Sequence, residues 1–526
     1  DNKRTLIVIF SNYIYANDVC RSKILIHKYS IVSIMNNTET TLQPLIDSDT
    51  KIAIIGGGVA GSTIALRFAE LGIDTTLIEK GPSLVNGPPF CHLHAGGNLY
   101  REISEQQCFT LLKQSIDTIK VYPHSINFRP TIIALPKTDK GEVVDFLPRL
   151  KKLSEYYAQL VSQDLSNKVL GDPAQYFLTF DRSDLDRLRK KEQPTIANSN
   201  EDWLVAFAQQ VDLDKLKYPV LLVQEYGWSA FRLAAIASLA IEKLPRCQIK
   251  LNSQVIKVTK LVDDEKWRLT YSVDQINDPI DEDFDYIINA CGFKSGEIDD
   301  MLQAKRQRMV EFKAAYVAHW PECKGLWPEV VFHGERGTPN GMAQLTPYQN
   351  GYFQLHGMTQ DITLFEKGLV TSGEQSAQPI LAERFIKKID QQWPSTIVND
   401  RTLGSIGHLA RYIKNFSQAR VAAKPMFGAQ QIPGDDASLR AADVSFYGKH
   451  YARTEIVKAS SALAAADEIL QNLQDVGLVN KTLLGKHLHE HYFPVTLKCT
   501  DAEVTNLAVT LAKQRQYPEE LAKNFI

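Results

Sequence analysis

Cysteine is scarce and scattered in this chain, and that scarcity argues against two kinds of site. The 526 residues contain seven cysteines, and no two of them form a CxxC pair. We therefore predict neither a zinc framework of paired cysteines nor a redox-active disulfide. Unpaired cysteines suit a reducing compartment, so we predict a cytoplasmic protein without a metal site. The seven are Cys20, Cys91, Cys108, Cys247, Cys291, Cys323 and Cys499.

The chain also lacks a surplus of charge of either sign, and it lacks long apolar runs. Its 59 basic residues almost balance its 61 acidic residues, which gives a formal net charge of -2. A nucleic-acid-binding protein normally carries a basic surplus on one face, so we predict no nucleic-acid partner. No run approaches the roughly 18 apolar residues that a membrane-spanning helix needs, so we predict no transmembrane segment.

The first methionine is Met35, and the residues before it follow neither a helical nor a strand period. A signal peptide is one interpretation, because Lys3 and Arg4 precede a short apolar stretch, but no small-residue cleavage site follows that stretch. We favour a second interpretation. Residues 1–34 are then a non-native or disordered N-terminal extension, and the natural protein begins at Met35.

A nucleotide-binding pattern begins at Lys51. The apolar run Lys-Ile-Ala-Ile-Ile predicts a buried parallel strand, and Gly56, Gly58 and Gly61 follow it at GxGxxG spacing. Apolar residues at helical spacing come next, and a second apolar strand ends on Glu79. GxGxxG alone is weak evidence. A strand, the glycines, a helix, a second strand and an acid in this order are strong evidence for a dinucleotide-binding fold.

Each residue type in this pattern has a physical reason. The first glycine allows a tight turn, the second lets the backbone approach a pyrophosphate, and the third lets the helix pack close to the strand. The N-terminus of the helix favours the negative phosphates, and the acid accepts hydrogen bonds from ribose hydroxyls. The pattern predicts that the nucleotide is held by Gly56, Gly58, Val59, Ala60, Gly61, Glu79 and Lys80.

A second glycine-rich stretch follows the acid and carries the first family resemblance. With His94-Ala-Gly-Gly-Asn98 the chain resembles the D-amino-acid oxidase superfamily, which includes glycine oxidase, and it shows some likeness to malate:quinone oxidoreductase. In that superfamily a small-residue stretch at this place passes the flavin ring. The resemblance therefore implies FAD as the cofactor and places Gly96, Gly97 and Asn98 beside it.

Two later strands resemble the same superfamily. One is similar to the strand whose central valine contacts adenine through its backbone, and here that residue is Val255. The other is similar to the strand and glycine that close the nucleotide domain, which adds Ala290 and Gly292 to the implied cofactor contacts. Cys291 departs from the family, in which threonine or alanine is usual at that position.

Two further segments complete the resemblance. Residues 345–359 resemble the hairpin of the substrate domain, with Asn350-Gly351 as its tight turn. Tyr447–Arg453 stands between a strand and a long helical run, and it resembles the turn that returns to the flavin. The resemblance implies that a helix N-terminus there faces the ring, where its dipole stabilises the negative charge of reduced flavin.

These segments predict an α/β fold. A Rossmann-like FAD-binding domain is interleaved with an α+β substrate domain that is built on a mixed or antiparallel sheet. We assign the FAD-binding domain to residues 50–116, 224–296 and 433–473. We assign the substrate domain, with a helical insertion, to residues 117–223 and 297–432. Residues 474–526 are predicted to form a helical C-terminal extension, to which the sequence assigns no task.

Candidate substrate residues follow from their position in these segments. A flavin oxidase needs little acid–base machinery, but it needs an anchor for a substrate carboxylate, and the fork of an arginine suits that role. The candidates are His94, Arg101, His356, Tyr451 and Arg453. The motif Cys91-His92-x-His94 also suggests a metal site or a covalent flavin link. Three ligands within four residues cannot easily surround one ion, so we favour an ordinary loop beside the ring.

The resemblance implies an FAD-dependent oxidoreductase that oxidises a C–N or C–O bond of a small amino acid, amine or hydroxy acid and passes electrons to oxygen or quinone. No second GxGxxG unit with a strand before it offers an NAD(P)H domain. Three alternatives stay open: a malate:quinone-like dehydrogenase in peripheral contact with a membrane, an NADPH-dependent flavin monooxygenase, and a flavin-bearing non-catalytic subunit.

Overall fold

A computed structural model describes residues 50–87, 92–93, 103–261, 265–274, 276, 278–323, 325–442, 444–480 and 493–524. Several predictions from the sequence therefore lie outside the described residues. They concern the extension 1–34, the substrate candidates His94 and Arg101, and the cofactor contacts Gly96, Gly97 and Asn98.

The strands in chain order are β1 Ile52–Ile55, β2 Thr75–Ile78, β3 Ile126–Asn127, β4 Thr131–Ala134, β5 Phe177–Phe180, β6 Val220–Val223, β7 Gly227–Trp228, β8 Cys247–Lys250, β9 Ser253–Lys260, β10 Trp267–Val273, β11 Ile280–Phe284, β12 Tyr286–Asn289, β13 Arg308–His319, β14 Glu329–Phe332, β15 Ala343–Pro347, β16 Tyr352–Gly357, β17 Leu369–Thr371, β18 Arg420–Val421, β19 Met426–Pro433, β20 Val444–Phe446 and β21 Tyr451–Thr454.

The α-helices in chain order are α1 Val59–Glu70, α2 Glu105–Val121, α3 Leu147–Gln163, α4 Arg182–Leu188, α5 Asp202–Gln210, α6 Ala230–Ile241, α7 Ser295–Met301, α8 Glu383–Asp390, α9 Ser395–Ala410, α10 Ala462–Asp475, α11 Pro494–Leu497 and α12 Asp501–Gln514. None of these described helices is long and apolar enough to cross a membrane.

A six-stranded sheet, here called the nucleotide sheet, has the order β20-β21-β12-β1-β2-β8. Its strands β8, β2, β1, β12 and β21 run parallel, and β20 pairs antiparallel with β21 at the edge. Every residue of β1, β2 and β12 is buried, as strands covered on both faces require. Helix α1 packs against α6 and α10 beside this sheet. The Rossmann-like prediction is confirmed.

A ten-stranded sheet, here called the substrate sheet, contains β4–β6 and β13–β19. Its pairs are antiparallel except for β14 with β4, so the sheet is mixed, as the sequence predicts. The predicted hairpin is β15–β16. Asn350 and Gly351 both have positive φ (56° and 74°), the conformation that a tight Asn-Gly turn needs. The turn reverses the chain, so β15 and β16 pair antiparallel in a fixed register, with Gln344 opposite His356.

The prediction that Tyr447–Arg453 forms the connection from a strand to a helix is wrong. The segment does not connect a strand to a helix, because β20 and β21 form a hairpin whose turn is residues 447–450. Gly448 and His450 both have positive φ, which folds the chain back. The connection from strand to helix comes later, at residues 455–461, where a short 3-10 turn, Ala459–Ser461, leads into α10.

Candidate active site

The glycine turn after β1 has the shape that a dinucleotide needs. Gly56 has φ +101°, and a Cβ there would lie 2.6 Å from the carbonyl oxygen of Ala290. A Cβ on Gly61 would lie 1.9 Å from the carbonyl oxygen of Gly56, so only glycine lets α1 pack on this turn. A Cβ on Gly58 would meet nothing within 4 Å. The middle glycine thus leaves open space at the start of α1, where the first N–H groups have no acceptor within the helix.

Glu79, at the end of β2, is held beside this turn. Its carboxylate oxygens accept hydrogen bonds from the backbone N–H groups of Gly57 (2.6 Å) and Gly81 (2.7 Å). Each carboxylate oxygen can accept more than one hydrogen bond, so the side chain can still receive ribose hydroxyls. Because its orientation is set by backbone donors, Glu79 is ready for the nucleotide before the nucleotide binds.

A cavity of about 1270 Å³ extends from this turn to the substrate sheet. It is larger than the roughly 300–1,000 Å³ of a pocket for one drug-sized ligand, so it has room for a dinucleotide and a small substrate. Most of the predicted residues within the described part of the chain line it. These are Gly56, Gly58, Val59, Ala60, Glu79, Lys80, Val255, Ala290, Gly292 and His356. Gly61 does not line the cavity; it allows α1 to pack against the turn that does.

The residues present fit FAD. The open space at Gly58 and the start of α1 suit the pyrophosphate, and Glu79 suits the ribose. Ser253, Gln254 and Val255 of β9 line the same cavity, where the resemblance implies contact with adenine.

The connection 455–461 forms another wall of the cavity and was missed by the sequence analysis. Thr454 and the run from Ile456 to Ser460 line the cavity, including Lys458. Because this run leads into α10, it occupies the place that the sequence analysis assigned to Tyr447–Arg453. The signal available in the sequence was the Ala-Ser-Ser step before an alanine-rich helix, which is typical of a helix start.

Tyr451 and Arg453 are placed away from the cavity. Tyr451 Oη and Arg453 Nε both donate to Asp299 Oδ1, at 2.9 and 2.6 Å, and Arg308 donates to the second oxygen of the same carboxylate at 2.5 Å. All four side chains are buried and neither Tyr451 nor Arg453 is among the residues that line the cavity. The cause is the hairpin, which makes β21 an inner strand of the nucleotide sheet. This position does not support the predicted catalytic roles.

His356, by contrast, faces the cavity from β16 of the substrate sheet. Its Nε2 lies 2.9 Å from Nε2 of Gln354, and it stands opposite Gln344, which also lines the cavity. The catalytic role predicted for His356 therefore stays a prediction, with a position that allows it.

A group of cations on the substrate side was not foreseen from the sequence. Lys313 of β13 and Arg336 both pair with Glu311, and Lys313 Nζ lies 2.8 Å from Glu311 Oε2. Lys313, Arg336 and Arg440 line the cavity, and Glu311 is buried behind them. Burial lowers the pKa of Lys313 below its ordinary value; Glu311 opposes this, and Arg336 and Arg440 add to it. Lys313 and Arg336 thus share one carboxylate, and Arg440 lines the same cavity.

His92 joins a buried network beneath the same cavity. Its Nδ1 lies 2.7 Å from Glu329 Oε1, and Arg129 Nη1 lies 2.5 Å from Glu329 Oε2. Gln344 also donates to Glu329, and Glu225 lies 3.8 Å from His92 Nε2. Burial would raise the pKa of Glu329, but His92 and Arg129 hold it well below its ordinary value. The network fixes His92 and Gln344, which both line the cavity. Among the described residues, no group of acids, histidines and cysteines could hold a metal ion.

Comparisons with known proteins identify the family and the fold of the chain. The sequence profile of a family described as FAD dependent oxidoreductase (DAO) matches residues 51–409. Among curated proteins, no sequence matches. Among solved structures, L-amino acid deaminase from Proteus vulgaris is similar, with a TM-score of 0.53 and 11% identity over 84% of this chain and 96% of that one.

Two other solved structures are similar to the same degree. Glycine oxidase from Geobacillus kaustophilus has a TM-score of 0.50 and 12% identity, over 81% of this chain and 95% of that one. L-alpha-glycerophosphate oxidase from Mycoplasma pneumoniae, which was solved with FAD bound, has a TM-score of 0.50 and 15% identity, over 81% of this chain and 94% of that one. At such low identity these similarities concern the fold.

Proposed function

The chain belongs to the FAD dependent oxidoreductase family (DAO), and we propose that it oxidises a C–N or C–O bond in a small amino acid or hydroxy acid. It is an enzyme with FAD as its cofactor. Amino acids and hydroxy acids carry a carboxylate, whereas simple amines do not. The group of cations on the substrate side favours the acids, and this observation carries the proposal.

The charge around the cavity supports an anionic substrate. Lys313 and Arg336 share the single carboxylate of Glu311, and Arg440 lines the same cavity. The side chain of Lys313 is only 21% exposed, and burial of its charge is costly, so a carboxylate bound beside it is favourable. Arginine adds direction, because its planar fork matches a carboxylate through two hydrogen bonds. A neutral or cationic amine would gain nothing from these groups.

The remaining cavity residues would orient the substrate rather than perform its chemistry. Bound FAD supplies the two-electron acceptor for the oxidation. Lys313 and Arg336 would hold the carboxylate, while His356 and Gln344 offer hydrogen bonds from adjacent strands of the substrate sheet. The buried network below Gln344 keeps that amide in one orientation. Such fixed positions reduce the entropic cost of bringing a substrate to the cofactor.

The proposal is tested by adding compounds to the purified holoenzyme without oxygen and recording the flavin absorbance. The panel pairs each amino acid and hydroxy acid with its neutral amide, which keeps the oxidisable bond and removes the carboxylate charge. We expect one acid to bleach the flavin while its amide does not. Bleaching by an amine or amide alone, or by NADPH alone, would contradict the proposal.

The electron acceptor is tested in the same sample. Air is admitted to the substrate-reduced enzyme, and the rate at which the absorbance returns is compared with the rate after a soluble quinone is added. Rapid recovery in air identifies an oxidase. Recovery only with quinone identifies a dehydrogenase, which would connect the chain to the quinone-dependent alternative.

A further inference from the structure

Residues 493–524 of the C-terminal extension lie outside the part of the chain that the family profile matches, yet they reach the nucleotide site. Helix α12 packs along α6, and its first turn is anchored there. Arg232 of α6 donates to Asp501 and, at 2.8 Å, to Thr505. The extension is therefore attached firmly to the FAD-binding side of the fold, and the far end of α12 is held at a definite place.

Residues 83–87 follow β2 and are here called the post-β2 loop, and at the far end of α12 Arg515 contacts the first three of them. Its Nη1 donates to the carbonyl oxygen of Val85 at 2.9 Å, and its Nη2 donates to the carbonyl oxygen of Leu84 at 2.8 Å and to Ser83 Oγ at 3.0 Å. Burial lowers the pKa of Arg515 to about 10, so it stays charged near neutral pH. One partly buried guanidinium thus holds three consecutive residues of the loop.

The post-β2 loop is in turn connected to the glycine turn. The N–H of Val85 donates to the carbonyl oxygen of Gly57 at 2.8 Å. The side chain of Leu84 lies so close to Gly57 that a Cβ there would be 2.8 Å from it. Val85, Asn86 and Gly87 themselves line the cavity. A displacement of the loop would therefore change the wall that receives the nucleotide.

Val85 also needs support. Its φ is +55°, a left-handed conformation that a β-branched residue rarely adopts because its Cβ crowds the backbone. Strain of this kind persists only when surrounding contacts impose it. The two contacts that flank the strained residue are its own N–H to Gly57 and its own carbonyl oxygen to Arg515.

We propose that Arg515 is a positioning residue for FAD: from the C-terminal extension it holds the post-β2 loop in the strained shape that completes the nucleotide-binding wall. The role does not depend on which substrate is oxidised. It concerns the affinity of the protein for its cofactor.

The first test compares FAD affinity in full-length variants. FAD is removed from the wild type, R515A and R515K, and the dissociation constant is measured from the quenching of FAD fluorescence at a temperature where each apoprotein is folded. Loss of three charge-assisted hydrogen bonds is expected to raise the constant for R515A by about tenfold or more. R515K should recover part of the affinity, because an ammonium group can still donate to the loop carbonyls. Equal constants for R515A and the wild type would overturn the proposal.

A matched control separates positioning from general stability. T505V removes one of the two hydrogen bonds from Arg232 to the same helix but changes no residue that contacts the post-β2 loop. The unfolding temperature of the apoprotein is measured beside the FAD affinity. We expect T505V to lower the unfolding temperature and leave the FAD dissociation constant within about twofold of wild type. If both variants weaken FAD binding equally, Arg515 acts only through stability and the proposal fails.

A double-mutant cycle tests the strained residue directly. Glycine adopts positive φ without crowding, so in V85G the loop conformation depends less on the hydrogen bonds from Arg515. We expect R515A to weaken FAD binding less in the V85G background than in the wild-type background. The same loss in both backgrounds would show that Arg515 does not act through the conformation of Val85, and would overturn the proposal.

Discussion

Lys313 and Arg336 share the single carboxylate of Glu311 at the cavity wall, and this arrangement decides how each residue behaves. Because burial and two neighbouring guanidinium groups lower the pKa of Lys313, it loses its proton at a lower pH than an ordinary lysine. An anionic substrate bound beside it would raise that pKa again, since opposite charge favours the protonated amine.

The first prediction concerns Lys313. K313M should raise KM for the acidic substrate by about tenfold to a hundredfold, because a charge-assisted hydrogen bond to the substrate is lost, while kcat changes less. In the wild type, KM should rise at alkaline pH as Lys313 loses its proton. K313R should lose that dependence, because arginine stays charged. Steady-state kinetics across pH measure both effects.

Lys140 provides the matched control for this prediction. It also lines the cavity and pairs with Glu335 at 2.9 Å, but its side chain is 85% exposed. An exposed pair contributes little, so K140M should leave KM within about threefold of wild type. A KM for K313M that equals the KM for K140M would refute the role given to Lys313.

At the scale of the element, two glycines of the turn between β1 and α1 have different roles: one allows helix packing and the other leaves space for the cofactor. Gly61 serves the packing of α1, because its Cβ would meet the carbonyl oxygen of Gly56 at 1.9 Å. Gly58 serves the ligand, because a Cβ there meets open space. The folded protein thus needs one glycine for its own structure and the other for the cofactor.

The second prediction follows from that separation. G61A should lower the stability of the apoprotein by about 1–3 kcal/mol or more, because the backbone must move to relieve the overlap, as in other overpacked cores. G58A should leave the stability of the apoprotein almost unchanged and weaken FAD binding, because the added methyl group occupies the space left for the pyrophosphate. Thermal unfolding of the apoproteins and FAD titration measure the two effects. An unstable G58A apoprotein would contradict this account.

At the scale of the whole molecule, the C-terminal extension contacts segments on both the nucleotide side and the substrate side of the cavity. Tyr517 donates to the carbonyl oxygen of Pro425 at 2.8 Å, next to β19 of the substrate sheet. Gln349, in the β15–β16 turn, donates to the carbonyl oxygen of Asn524. Together with Arg515 on the post-β2 loop, these contacts connect the extension to both sides of the cavity.

One carboxyl group that contacts the extension, that of Glu70, titrates near neutral pH. Glu70, the last residue of α1, accepts the N–H of Val495 at 3.0 Å. Its other carboxylate oxygen is buried without a hydrogen-bond partner among the described residues. Burial raises the pKa of Glu70 to about 7, against the opposing effects of Val495 and of the nearby Arg67.

The third prediction is the resulting pH dependence of stability. The folded protein binds a proton at Glu70 that the unfolded chain has already released, so stability falls as pH rises from about 4.5 to about 7 and stays lower above it. E70Q removes the buried charge and should stabilise the protein at pH 8 by up to about 3 kcal/mol, with little effect at pH 5. Chemical denaturation at both pH values measures this. E383Q, at an exposed residue of α8, is the control, and equal effects of the two substitutions would contradict the prediction.

The parts of the fold and site that were predictable from sequence are those determined by neighbours in the chain. The GxGxxG spacing, the acid after β2 and the Asn350-Gly351 turn each depend on backbone conformations that glycine and asparagine favour. Helix and strand periods express which face is buried, so they also predicted the Rossmann-like order of elements. These rules act over a few residues and are visible without a structure.

Contacts between distant segments were decided only by the tertiary structure. Arg336 and Arg440 lie near Glu311 and Lys313 of β13 because segments far apart in the chain converge on one cavity, and no local pattern marks this. The turn 447–450 became a hairpin, which buried Arg453 against Asp299. The energy of a buried charge depends on the groups that surround it in space, and not on its neighbours in sequence. The pairing of charged side chains is therefore set by the packing of the whole chain.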